Sequence, residues 1–280
     1  MTDRIRLGIF GWPVAHSKSP QMHVSAAREL GIALLYERFE VAPEGLAEAV
    51  RAEHAAGIDG YNVTVPHKVA IISLIDEVAP AAQAIGAVNT VVRRNGRYLG
   101  HNTDAPGFVR SLEDAGVQLS GAIAVVLGAG GAARAAVVGL ADAGAAEIRV
   151  LSRRPEQSEA LCRTLAGAVS CGLKAAPLGN AGRYFEGASL LVQATSATLE
   201  SNPGAQAFAD SLPIEALPEG AAVVDMVYKP LETTLLARAN ARGLTTVDGL
   251  GMLLHQGAIA FEMWTGFEPP VDVMRSALGD

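Results

Sequence analysis

One stretch restricts the fold of this chain more than any other: GAIAVVLGAGGAARAAVVGLADAGAAEIRVLSRR, residues 121–154. The run AIAVVL shows no polar alternation, so it reads as a strand covered on both faces, a property of parallel sheets. Glycines then crowd into a turn, an alanine-rich helical segment follows, and EIRVL reads as a second strand. Strand, helix and strand within about 30 residues make one parallel crossover unit. Such a unit sets the class as α/β and makes the turn its most informative part.

That turn, Gly128-Ala129-Gly130-Gly131-Ala132-Ala133, fits G-x-G-x-x-A. Gly128 makes the tight bend, Gly130 lets a pyrophosphate approach the backbone, and the small Ala133 allows close helix–strand packing. The helix start at Gly131 and Ala132 presents unpaired N–H groups to the phosphates. The end of the second strand decides which dinucleotide fits. A site for NAD places a carboxylate about 20 residues on, against the ribose hydroxyls. Here that position reads Ser152-Arg153-Arg154, with no acid. Guanidinium groups bind a 2′-phosphate that a carboxylate would repel, so the pattern predicts NADP. At about 1.5–3 kcal/mol per charged hydrogen bond, one arginine gives roughly 10–100-fold preference.

The rest of the 280 residues alternates strand and helix signals without repeats. RLGIFGW, LLYERFEV and GYNVTV read as strands, and residues 20–30, 43–54 and 66–78 as helices. AVNTVVRRNGRYLGHN reads as two strands about Asn95-Gly96, a hairpin turn because both residues tolerate positive φ. Further strands fall at 189–193 and 221–226, and GMLLHQGAIAFEMW forms a C-terminal helix. The chain therefore reads as two α/β domains. A discontinuous substrate domain takes residues 1–105 and 243–280, and an inserted Rossmann-type dinucleotide domain takes 106–242.

Charge and composition exclude several classes. A formal net charge of −7 argues against a nucleic-acid or anionic-membrane partner, which would need a basic stripe. The uncharged run at 119–133 is too short and too glycine-broken to span a bilayer, and the N-terminus lacks the apolar stretch of a secretion signal. Cys162, Cys171 and the six histidines show no metal-ligand spacing, so no metal site is expected. The expectation is a cytoplasmic protein acting on a small molecule, as monomer or homodimer.

Polar residues set in apolar frames mark the candidate site. In GYNVTV a period of two sends Val63 and Val65 to one face and Asn62 and Thr64 to the other. Lys68 falls in the first turn of the helix expected from Pro66, where the helix dipole disfavours a cation. The same field would lower its pKa towards that of a proton carrier. If Asn95-Gly96 is a two-residue turn, Arg94 pairs with Arg97 and Asn89 with Asn102, and Asp104 follows on the same face. Asp104 could equally cap a helix beginning at Ala105-Pro106. Ser17-Lys18-Ser19-Pro20 is open in the same way. Ser19 is a helix cap ahead of proline, or Ser17 and Ser19 form a neutral carboxylate site at a helix N-terminus. Tyr228, in DMVYKP, lies just past a buried strand, where ligands of open sheets collect. Gln256 lies on the apolar face of the last helix, among Met252, Leu253, Ile259 and Ala260, and needs a partner there.

The motifs S-K-S-P, N-V-T-V-P-H-K, G-A-V-N-T, N-T-D, G-A-G-G-A-A, D-M-V-Y-K-P and G-L-G-M-L-L-H-Q stand in the order seen in shikimate dehydrogenases. The chain resembles that family along essentially its whole length. The resemblance implies two α/β domains with a cleft between them and reversible NADPH-linked reduction of 3-dehydroshikimate to shikimate, a step of aromatic amino-acid (chorismate) biosynthesis. By matching motif it places Ser17 and Ser19 on the substrate carboxylate. Asn62, Thr64, Asn89, Asp104, Tyr228 and Gln256 would hold the ring hydroxyls and carboxylate, with Lys68 and Asp104 as the catalytic pair. Gly128, Ala129, Gly130, Gly131 and Ala132 would cradle the pyrophosphate, and Ser152, Arg153 and Arg154 would face the 2′-phosphate. Thr195, Met226, Gly249 and Met252 would surround the nicotinamide half. Two stretches depart from the family. Its Asn-Ala-Thr-Ser reads Gln193-Ala194-Thr195-Ser196, and its Asn-Arg-Thr reads Ser152-Arg153-Arg154. Both bear on cofactor affinity rather than on reaction class. Two alternatives stay open on sequence: a quinate/shikimate dehydrogenase using NAD, and a non-catalytic NADP-binding regulator on the same fold.

Overall fold

The computed structural model describes residues 4–279. Backbone contacts divide the chain into two units, Met1–Gly107 with Leu254–Asp280, and Phe108–Leu253.

The first unit is built on a mixed six-stranded sheet of order β2-β1-β3-β5-β6-β4. Its strands are β1 (Ile5–Gly11), β2 (Leu34–Glu40), β3 (Gly60–Val63), β4 (Glu77–Val78), β5 (Thr90–Arg94) and β6 (Arg97–His101). β1 runs parallel to both β2 and β3, and β5 runs antiparallel to β3 and β6. The hairpin closes as its sequence demands, with Arg94 opposite Arg97 and positive φ at Asn95 and Gly96. Phe10, Tyr61, Val63, Ile71 and Val91 fill the core on one side of this sheet.

Two local expectations fail here. No α-helix forms over 66–78: residues 65–69 are turn, a 3₁₀ helix spans Ala70–Leu74, and β4 follows. Val69, Ile71, Ile72, Ile75 and Val78 are β-branched and stiff at χ1, which weakens a helix. Pairing of β4 with β6 takes the end of the segment instead. At the N-terminus, Ser19 is the first residue of the helix Ser19–Glu29 rather than its cap. Lys18 holds the cap position, and no side chain caps the helix.

The second unit carries an all-parallel sheet of order β12-β11-β10-β7-β8-β9. It consists of β7 (Ile123–Leu127), β8 (Glu147–Ser152), β9 (Gly172–Pro177), β10 (Leu190–Gln193), β11 (Ala222–Asp225) and β12 (Thr245–Val247). From β7 the chain moves outward through β8 and β9, then returns to the other side for β10, β11 and β12. The strand order therefore reverses between β7 and β10, the place where open α/β sheets bind ligands. Leu127, Leu151, Phe185, Leu191 and Val223 lie in one wholly buried cluster. Each such side chain stabilises by about 1.5–3 kcal/mol relative to exposure. The edge strands β9 and β12 lack long apolar runs and carry no strong sequence signal. Through β12 the structure assigns residues 243–253 to this unit, where the sequence boundary placed them with the substrate domain.

Candidate active site

In the first unit Lys68 sits in the turn after β3, so no α-helix dipole acts on it and that reason for singling it out falls away. Its side-chain contacts single it out instead. Lys68 Nζ donates to Asp104 Oδ2 at 2.6 Å, with the two side chains 13% and 5% exposed. Taking two charges out of water is costly unless each is closely paired, and this geometry pairs them. The turn around the lysine is pinned on both sides. Val88 N donates to Lys68 O at 2.8 Å, and His67 Nε2 donates to Val41 O at 2.7 Å.

Asn89 joins the pair to its surroundings. Its Nδ2 donates to Asp104 Oδ1 and to Thr103 Oγ1, both at 2.9 Å, and approaches Gln256 Oε1 at 3.4 Å. Its Oδ1 accepts from Thr103 N at 2.7 Å, which sets the amide's orientation. The competing role for Asp104, capping the helix Asp104–Asp114, goes to Asn102. Asn102 Oδ1 accepts from Ala105 N at 3.1 Å, and Asn102 Nδ2 donates to Ala87 O at 2.9 Å. Asn102 therefore does not join the patch expected from strand pairing, and the Asp104 carboxylate is left for Lys68 and Asn89.

Asn62 extends the network. Its Nδ2 donates to Asn89 O and Thr90 Oγ1, both at 3.1 Å, so its Oδ1 must be the atom that accepts from Tyr36 OH at 2.6 Å. Tyr36 also bonds the Ser19 side chain, and burial pushes its phenol pKa up, so it stays a neutral donor. Sequence reasoning missed Tyr36. The available signal was its alternation with Arg38 on β2, since Arg38 Nη2 in turn donates to Ser17 O at 2.7 Å. Ser17 Oγ accepts from Ser19 N at 3.3 Å, and Ser19 is buried. Seven expected residues thus stand in the first unit within or beside one polar network: Ser17, Ser19, Asn62, Lys68, Asn89, Asp104 and Gln256. Thr64 is half-buried with its methyl against Gly11, where a Cβ would come within 2.4 Å. Tyr228 lies in the second unit, in the loop past β11.

The second unit offers a dinucleotide cradle at its switch point. Gly128 has φ +115°, and a Cβ there would stand 2.7 Å from Thr195 Cγ2, so only glycine fits. At Gly130 a Cβ would meet nothing within 4 Å; that open space lies at the N-terminus of the helix Gly131–Asp142. This helix has no acidic residue in its first turn and no side-chain cap, leaving its N–H groups for an anion. At the end of β8, Ser152 is buried and its Oγ donates to Arg154 O at 2.6 Å, while Arg153 and Arg154, just past the strand, are exposed. Arg153 lines a groove of about 380 Å³ with Gly179, Ser211 and Pro213. The chemistry of this donor set fits NADP: backbone N–H groups for the pyrophosphate, guanidinium groups and no acid for a 2′-phosphate. Thr195, Met226 and Gly249 lie in the loops past β10, β11 and β12, and Met252 is buried in the first turn of the helix Leu250–Thr265. A Cβ on Gly249 would stand 2.4 Å from Met226 O, so that loop crossing requires glycine. Among the described residues no group of three or more His, Cys, Asp or Glu could hold a metal, and no helix is long and apolar enough to cross a membrane.

Two family profiles match the chain: the shikimate dehydrogenase substrate binding domain over residues 9–91, and the shikimate 5′-dehydrogenase C-terminal domain over 249–278. A curated relative, the NADP(+) shikimate dehydrogenase of Symbiobacterium thermophilum, is 46% identical over 97% of this chain and 92% of its own. Among solved structures, shikimate 5-dehydrogenase from Thermus thermophilus in complex with NADP(H) and shikimate has a TM-score of 0.84 at 42% identity, covering 98% of each chain. The quinate dehydrogenase of Corynebacterium glutamicum in complex with NAD has a TM-score of 0.89 at 32% identity, covering 99% of each.

Proposed function

This chain belongs to the shikimate dehydrogenase family, and from that premise we propose that it catalyses the reversible NADPH-dependent reduction of 3-dehydroshikimate to shikimate. The Lys68–Asp104 ion pair, nearly out of water and tied through Asn89 towards Gln256, is the observation that carries the reading. When bound, the dihydronicotinamide supplies the hydride that reduces the ring ketone, and the oxidised form takes it back in the reverse direction.

The chain's own residues do the rest. As the carbonyl carbon is reduced, its oxygen gains negative charge, and the Lys68 ammonium is the group that stabilises that charge and gives the proton. In the oxidation direction the lysine takes the hydroxyl proton, and Asp104 holds Nζ in place throughout. Asn89, oriented by Thr103 N, presents its amide beside the same carboxylate. Asn62 has both amide hydrogens engaged within the protein, so towards a ligand it can only accept, which suits a ring hydroxyl. Ser17, Ser19 and Thr64 are the neutral groups for the substrate carboxylate, and Tyr228 and Gln256 complete the substrate set. Gly128, Ala129, Gly130, Gly131 and Ala132 would hold the pyrophosphate and Ser152, Arg153 and Arg154 the 2′-phosphate. Thr195, Met226, Gly249 and Met252 would hold the nicotinamide half. The same reading places the protein in the cytoplasm, where the NADPH pool it draws on is kept.

Adding shikimate and NADP⁺ to the pure protein should produce NADPH absorbance. Quinate or NAD⁺ in their place should give lower kcat/KM. Tight NADPH binding with no turnover of either acid would sink the enzymatic reading and leave a dinucleotide-binding regulator.

A further inference from the structure

Asp225 closes β11 and is wholly buried, yet none of the roles above uses it. Burial pushes its pKa up, so the charge persists only through its donors. Four are present. Oδ1 accepts from Thr198 Oγ1 and Val227 N, both at 3.1 Å, and from Gln193 Nε2 at 3.4 Å, while Oδ2 accepts from Thr233 Oγ1 at 2.9 Å. These donors come from the end of β10, the turn after it, the loop after β11, and the cap of the helix Thr234–Ala241.

The direction of each bond can be followed outward. Thr198 spends its hydrogen on Asp225, so its oxygen accepts from Gln193 Nε2 at 2.8 Å. That Gln193 hydrogen is shared between Thr198 Oγ1 and Asp225 Oδ1, and the second goes to Thr195 O at 2.9 Å. Gln193 Oε1 accepts from Thr195 N at 2.8 Å and Thr195 Oγ1 at 2.7 Å, and Thr195 Oγ1 accepts from Ala197 N at 3.0 Å. The turn at 194–198 is therefore held from inside. Its Thr195 methyl is the group that meets Gly128, so the chain of contacts ends on the glycine turn.

We propose that Asp225 is a positioning residue for the dinucleotide: acting through Thr198 and Gln193, it fixes the turn after β10 against Gly128 and keeps the glycine turn in its binding shape. The departure at Gln193 takes on a physical meaning in this arrangement, because its arm reaches Thr195 and Thr198 together. The inference rests on the reading that this unit binds NADP(H), and it is tested by NADPH binding without shikimate, so absence of shikimate turnover does not touch it.

The test is a set of three variants in the full chain, read by equilibrium NADPH fluorescence, thermal midpoint and KM for shikimate. Thr198→Val keeps the shape and removes the hydroxyl; it should weaken NADPH binding roughly 3- to 10-fold, the loss of about one net hydrogen bond. Thr198→Ser restores the hydroxyl and should bind NADPH as the parent does. Thr233→Val removes a donor from the opposite carboxylate oxygen without touching the 194–198 turn. It should lower the thermal midpoint while leaving NADPH affinity unchanged. NADPH affinity unaltered in Thr198→Val, or lowered equally in Thr233→Val, would overturn the proposal. So would a shikimate KM at saturating NADP⁺ that rises as much as the NADPH dissociation constant. Should Thr198→Val not fold, Thr198→Ala, which removes the same hydroxyl with less bulk, takes its place with the same expectations.

Discussion

A lysine amine 2.6 Å from a carboxylate, with both side chains at most 13% exposed, has few structural uses that would not be served better by apolar residues. Its use is chemical, and its loss should be read in rate. Proton transfer by a placed group contributes about 10²–10⁴-fold, so Lys68→Ala should lower kcat by that factor while KM for shikimate changes little. A kcat within a few-fold of the parent would remove Lys68 from the proton path. The exposed pair Arg153 and Arg154 belongs to the same scale, because it discriminates by single charged bonds. Replacing both with alanine should lower the ratio of kcat/KM for NADP⁺ over NAD⁺ by roughly 10–100-fold, mostly through KM for NADP⁺. An unchanged ratio would show that the 2′-phosphate is held elsewhere.

Elements decide whether those residues meet, and here sequence was informative in part. The β7–turn–helix–β8 unit was legible because an apolar run, three glycines and an alanine-rich stretch each have one favoured conformation and all agree. The β5–β6 hairpin was legible for the same reason, since Asn95-Gly96 fixes its register. The segment after Pro66 was not: apolar periodicity there suits helix and strand alike, and pairing with β6 decided it. Lys68 was thus picked for an electrostatic reason that the fold does not supply, and the contact with Asp104 is what places it. Tyr36 left only its alternation with Arg38 as a signal, because its partner Asn62 lies on another strand, and the role of Gln193 was illegible because it runs through Asp225, 32 residues on. Close approach of helices is equally invisible in sequence. Gly107, in the helix Asp104–Asp114, would with a Cβ come within 2.6 Å of Gln256 N and 2.9 Å of its Cα. Those are backbone atoms that cannot swing away. Helix propensity favours Gly→Ala by about 1 kcal/mol, but overpacking costs about 1–3 kcal/mol, so Gly107→Ala should destabilise the protein. Moving Gln256 should also raise KM for shikimate. A variant more stable than the parent, with unchanged KM, would show that the two helices part without penalty.

At the scale of the whole molecule, the titrating groups of the two units respond to acid differently. His23 is fully buried between Tyr36 and Phe261, with both ring nitrogens unpartnered. Burial lowers its pKa from 6.5 to about 3, which the nearby Asn62 amide only partly offsets. His54 and His101, also in the first unit, are lowered mainly by burial as well. For each, the unfolded chain binds a proton below pH 6.5 that the folded unit refuses, so stability is complete above that pH and falls as pH drops. For His23 the slope approaches about 1.4 kcal/mol per pH unit, and the loss reaches on the order of 5 kcal/mol at the foot of its range. In the second unit the resolved shifts act later or oppositely. Glu147, held low by Lys174 and Arg149, loses its contribution only as pH falls below 4.5, and the raised pKa of Asp225 means that protonation there relieves a burial penalty. Between pH 6.5 and 4.5 the first unit should therefore weaken while the second holds. Both tryptophans, Trp12 and Trp264, lie in the first unit, so selectively excited tryptophan fluorescence follows it alone. On acidification the tryptophan signal should change before NADPH binding is lost. His23→Phe, which keeps the stacked ring and removes the titrating nitrogens, should move the fluorescence transition to lower pH. Coincident loss of both signals, or a His23→Phe variant as acid-sensitive as the parent, would show that these histidines do not govern the first unit's stability.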